Sequence, residues 1–223
     1  IKNDALSSDS CRIHIKNSNY ITIFDCIISD NQRGIYAVET TNLFIVNNKF
    51  QNNKQSIYCP MKIGTVYISN NEFSFKDEYS YGILAEAVGE YIISNNSFSS
   101  LTDFNEFTCA LFLTGKIEIT FNVIHDCTIG IWLSNSEGTI EENILRKNDH
   151  IGVYATDSTL HFLNNVIEEN GNNWITYYHD FEPGGIILNG ESADNCIIEL
   201  NTIENNKGYG LLLKGYFGRD NEI

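Results

Sequence analysis

Along most of the chain, apolar residues fall into two short patterns that alternate with polar punctuation. The first pattern is apolar-x-x-Asn-x-apolar, with IVNNKF from Ile45 to Phe50, ISNNEF from Ile68 to Phe73 and ISNNSF from Ile93 to Phe98. It continues as ITFNVI from Ile119, IEENIL from Ile140, FLNNVI from Phe162 and IELNTI from Ile198. The punctuating slot is Cys26, Asn48, Asn71, Asn96, Asn122, Asn143, Asn165 and Asn201, at intervals of 21 to 26 residues with one last interval of 36 that must hold an insertion. The second pattern opens on Gly and then alternates: Gly34-Ile35-Tyr36-Ala37, Gly82-Ile83-Leu84-Ala85, Gly130-Ile131-Trp132-Leu133 and Gly152-Val153-Tyr154-Ala155 are typical.

Both patterns have the period of a strand, rich in Ile, and neither has the period of a helix. A strand of about four residues cannot bury its own apolar face. Identical coils stacked at about 4.8 Å bury every inward Ile and pair each strand with the next coil. Leucine-rich repeats share the Leu and Asn flavour, but their second half is helical, which these segments are not. The pattern therefore predicts an all-β chain, a right-handed parallel β-helix of about nine coils with an Asn ladder. At a bend, a stacked Asn donates and accepts along its column and satisfies amides that would otherwise be buried unpaired.

The six cysteines fit this register as scattered, free thiols. Cys59 aligns inward with Ala37 and Ala85, Cys26 takes a ladder slot, and Cys127 falls in a second turn column with Asn31, Asn53, Asn148, Asn170 and Asn206. No CxxC pair or zinc spacing occurs. With 223 residues and 42% hydrophobic composition, the expectation is one β-helix domain over 1–223, without an internal linker. Ile13 already reads as a core strand, so the expected first coil needs a cover, from neighbouring sequence of a larger protein or from a partner. The net charge of -15 argues against nucleic acid as a partner, and no apolar run approaches a membrane span.

The Asn-punctuated segments with Gly-Ile-x-Leu resemble the parallel β-helix repeats of carbohydrate-binding and sugar-hydrolase proteins, including NosD-like periplasmic proteins and pectin-lyase-like enzymes. The resemblance runs from Cys11 to Leu213. A more distant likeness is to the β-helix regions of archaeal disaggregatases. The resemblance implies an extracellular or cell-surface location (periplasmic in a bacterium) and polysaccharide or surface glycan partners. It leaves open whether such a chain is a lyase, a hydrolase or a binding module.

Candidate chemistry comes from the outward slot of the Gly-Ile-x strands: His14, Tyr36, Tyr58, Leu84, Phe112, Trp132, Tyr154, Ile187 and Leu212. Outward residues of a solvated sheet should be polar, so this column is either a stacking platform for sugar rings or a face covered by another domain or subunit. Long connections at 74–80, 99–108 and 171–183 flank coils with short turns, which predicts a notch floored by Trp132 and Tyr154. The last connection adds Trp174, Tyr177, Tyr178 and His179 as candidate sugar contacts beside Tyr36, Tyr58 and Phe112. Asp126, Asp149, His150, Asp180 and Glu182 are the candidate acid–base groups, since paired carboxylates cleave glycosidic bonds. No zinc or other fixed metal site is expected. Calcium is the one candidate cofactor, bridging carboxylates such as Asp180 and Glu182 to an anionic glycan.

Overall fold

The computed structural model describes residues 11–76, 79–101, 107–172, 182–190 and 195–214. The first coil is built from β1 (Cys11–Lys16), β2 (Asn19–Phe24) and β3 (Ile27–Ser29). The same three-strand course repeats over 33–51, 55–75, 80–100, 108–125, 129–146, 151–168 and 184–204, and Tyr209–Lys214 begins a ninth coil. In the fourth to sixth coils the first two strands run on as one, as in Ser80–Ser94. Every pairing is parallel and joins a strand to its equivalent one coil away. The expected parallel β-helix and its coil number are both present.

The corners show why this sequence coils. Between second and third strands, the residue before each ladder slot has positive φ: Asp25, Asn47, Asn70, Asn95, Phe121, Glu142, Asn164 and Leu200. This left-handed residue turns the chain, and the next side chain points inward. Asn122 is typical and fully buried. Its Nδ2 donates to Thr120 O at 3.0 Å and to Ile93 O at 2.9 Å, while its Oδ1 accepts the Asn96 amide at 2.9 Å. The same bonds recur from Asn48 to Asn201. The column through Asn31, Asn53, Asn148, Asn170 and Asn206 is a second ladder, at the corner between third and first strands.

Cysteines replace Asn without losing the motif. Cys26 N–H donates to Asn48 Oδ1, and its thiol reaches Phe24 O two residues back, where Asn would put Nδ2. Cys127 does the same with Asn148 and His125 O. All six thiols are free. Ser and Thr serve the remaining corner, where Thr40, Ser136 and Ser158 close on carbonyls two residues back.

Inside, like stacks on like. Phe50, Phe73 and Phe98 are fully buried and lie parallel, with centroids 4.7 and 4.4 Å apart. Columns of Ile and Leu line the other two walls. Each such side chain contributes roughly 1.5–3 kcal/mol by leaving water.

Candidate functional site

The outward column of the first strands is in register throughout. His14 pairs with Tyr36, Tyr36 with Tyr58, Tyr58 with Leu84, and Phe112, Trp132, Tyr154, Ile187 and Leu212 follow one per coil. Its two halves differ in chemistry. Over the first three coils His14 is exposed and Tyr36 and Tyr58 are half-buried, and the Arg33 guanidinium lies 5.4 Å from the Tyr36 centroid and 5.1 Å from that of Tyr58. The Tyr58 hydroxyl donates to Glu86 Oε2 at 2.8 Å. Partial burial, then that bond and the Glu86 charge, push the phenol up to about 12, with Arg33 opposing.

Over the later coils the face closes. Cys109, Ile129, Ile151, Tyr154 and Ile187 are buried and form an apolar cluster of their own, outside the main core. A second outward column creates it. Gly130 and Ile131 both face the core, so Ile129 emerges on the same outer face as Trp132. Tyr154 stands edge-on to Trp132 (5.7 Å, 89°), and its hydroxyl accepts from Asn189 Nδ2 at 3.1 Å. Phe112 lies 5.1 Å from Trp132 on the other side. Tyr154 thus supports Trp132 from behind, while Phe112 and Trp132 keep partial exposure.

Of the candidate acid–base groups, Asp126 is exposed and bonded to its neighbour, His125 Nδ1 lying 2.7 Å from Asp126 Oδ2. Asp149 is half-buried at the next corner and its amide donates to Cys127 O at 2.7 Å. His150 is withdrawn from solvent at 2% exposure. Glu182 is half-buried. Trp174, Tyr177, Tyr178, His179 and Asp180 lie outside the described residues, as do most of the long connections.

The second strands carry a groove that the sequence reading did not single out. It holds about 490 Å³ and runs from Glu90 in the fourth coil to Asn195 in the eighth. Its apolar part is Ile92, Ile117 and Leu160, and its polar rim includes Lys116, Glu118, Glu137 and His161. Gly138 stands between Ile117 and Leu160 in a column otherwise filled by side chains. Any side chain there would collide with the Ile117 carbonyl. In the next coils toward the start, the outward column continues through Tyr67 and Phe44, stacked at 4.7 Å and 4°. The available signal was Gly138 itself, at an inward slot of an otherwise apolar column.

Residues 1–104 match the family model described as periplasmic copper-binding protein (NosD). The donor set does not fit copper: among the described residues no three His, Cys, Asp or Glu side chains stand together as ligands. Burial holds the Cys59 thiol up at about 12 and raises Cys109 and Cys127 as well, so these sulfurs stay protonated in the wall. A search of curated proteins found no match. Residues 63–183, more than half of the chain, match the family model described as right handed beta helix region. With its parallel coils and two Asn ladders, the chain belongs to the right-handed β-helix family.

Proposed function

We propose that this protein is an extracytoplasmic carbohydrate-binding β-helix that receives sugar rings on the first-strand face at Phe112 and Trp132. One observation carries the reading. Trp132 keeps partial exposure while Phe112 and Tyr154 clamp it at 5.1 and 5.7 Å, so a large aromatic surface is held in place before any ligand arrives. A fixed ring loses little side-chain entropy on binding, and sugar C–H faces pack on such planes. The NosD match supports an extracytoplasmic location, that family being described as periplasmic. Among the described catalytic candidates Asp126 is the exposed carboxylate, and its bond to His125 suits proton transfer in a hydrolase or lyase.

A glycan array with neutral oligosaccharides, followed by titration calorimetry, tests the reading. Trp132→Ala should weaken binding about tenfold, near 1.4 kcal/mol, with the thermal midpoint almost unchanged. Binding that survives the substitution refutes the assignment.

The second reading is a structural or adhesive β-helix whose aromatic face packs on another domain or subunit. The buried cluster of Cys109, Ile129, Ile151, Tyr154 and Ile187 favours it. It predicts that Trp132→Ala lowers stability or dissociates an assembly, and that no glycan on the array binds.

A further inference from the structure

We infer that the groove on the second-strand face binds a saccharide carrying free amino groups, a site separate from the one proposed at Trp132. The charge balance sets the ligand class. Glu90, Glu118 and Glu137 face a single Lys116, so the lining carries a formal excess of two negative charges. Lys116 is already drawn to Glu137 at 3.4 Å, and Glu90 accepts from Thr65 Oγ1 at 2.7 Å. Glu118 has no hydrogen-bond or ion-pair partner among the described residues. It is exposed in the second of the five coils that the groove spans, with Ile92 in the coil before it and Thr139 in the coil after.

That order along the axis is what an amino sugar needs. Ile92 offers an apolar surface to one ring face, Glu118 a carboxylate to an ammonium, and Thr139 and His161 polar groups to hydroxyls one and two coils further on. Coils repeat at about 4.8 Å, close to the length of one pyranose unit, so successive sugars meet successive coils. Gly138 keeps the wall low beneath them. An anionic glycan would be repelled by the net charge. A metal ion alone would find no set of three ligands among the described residues. A flexible polyamine would gain the charge and forgo the apolar floor and the hydroxyl contacts.

Titration calorimetry on the whole chain at pH 6 and low salt separates these ligands. The probes are the free-amine trimer of glucosamine, its fully N-acetylated counterpart, and spermidine. The free-amine trimer should bind at least about tenfold more tightly than either of the others, the margin of one charge-assisted hydrogen bond. Glu118→Gln, an exposed and near-isosteric change, should remove about that margin. Trp132→Ala should leave this binding unchanged even where it abolishes neutral-glycan binding, so the two sites stand or fall independently. Equal affinity for the acetylated trimer or for spermidine, no binding of the free-amine trimer at millimolar concentration, insensitivity to Glu118→Gln, or loss with Trp132→Ala would each overturn the inference.

Discussion

Asn122→Leu is the most direct probe of the ladder. The side chain is fully buried, and the substitution removes five hydrogen bonds in the middle of the stack. The Asn96 backbone amide loses its acceptor, Asn96 Nδ2 loses one of three, Ile93 O and Thr120 O each lose a donor, and the amide-to-amide bond to Asn143 Oδ1 at 3.0 Å disappears. Leaving one buried N–H without an acceptor costs about 1–3 kcal/mol, and each further lost bond about 1 kcal/mol when its partner keeps other contacts. Asn143 Oδ1 still accepts the backbone amide of residue 122, so that last loss is the mildest. The expected destabilisation is about 3 kcal/mol.

The assay is urea unfolding followed by far-ultraviolet circular dichroism, with the slope checked for unchanged cooperativity, since solenoids can lose it. Asn164→Gly is the matched control. It sits at the same corner one residue before a ladder Asn, is exposed, and has positive φ that Gly adopts freely. A loss below about 0.5 kcal/mol for Asn122→Leu, or an equal loss in the control, would mean that the ladder is a consequence of coiling and not one of its causes.

Leu200 occupies the corner slot with φ 56 and is 76% exposed, so Leu200→Asn should raise stability by up to about 1 kcal/mol in the same urea assay. Gly138→Ala should cost more than about 3 kcal/mol, because its Cβ would drive into the Ile117 carbonyl; a mild effect would show that this coil yields. Native protein at pH 8 should react with a thiol reagent at Cys11 and Cys26, which are half-buried, and at the four buried cysteines only after unfolding; mass spectrometry reads the sites. Burial raises the Cys59 thiol to about 12, so its contribution to stability is complete below the unfolded thiol's pKa near ~8.5 and is lost as pH rises toward 12; Cys59→Ala should flatten the alkaline decline, and an unchanged pH profile would contradict that linkage.

Much of this fold is written in spacing. The ladder slots, the second turn column and the outward aromatic column all follow from aligning one repeat on the next, because parallel coils bring equivalent residues into contact. Cys26 and Cys127 were legible as ladder substitutes on the same ground. The closure of the later outer face was not. Strict alternation places one outward column on the Gly-Ile-x strand, yet the bend at Gly130 turns two successive residues inward, so Ile129 and Ile151 join Trp132 and Tyr154 outside. The groove was hidden for a related reason. Glu118, between Ile117 and Ile119, and His161, between Leu160 and Phe162, read as ordinary solvated positions flanked by core residues, and only the register linking Ile117, Gly138 and Leu160 shows the low wall beside them.

These two faces place stability and binding on different residues, which is what allows the competing functional readings to be told apart. The corners are held by Asn, Ser and Thr ladders pointing inward, so outward side chains do not have to hold the coil. Where outward residues are nonetheless buried, as at Ile151 with 0% exposure, their removal must cost stability: Ile151→Ala leaves a cavity worth about 2–4 kcal/mol in either reading. Trp132 is the position where the readings diverge. If the face takes sugar, Trp132→Ala loses binding and little stability; if a partner chain covers the face, the same change loses stability or assembly and there is no sugar to lose. Glu118 answers to neither test, since it is exposed on another wall, and a change there that altered neutral-glycan binding would show that the two faces are not independent.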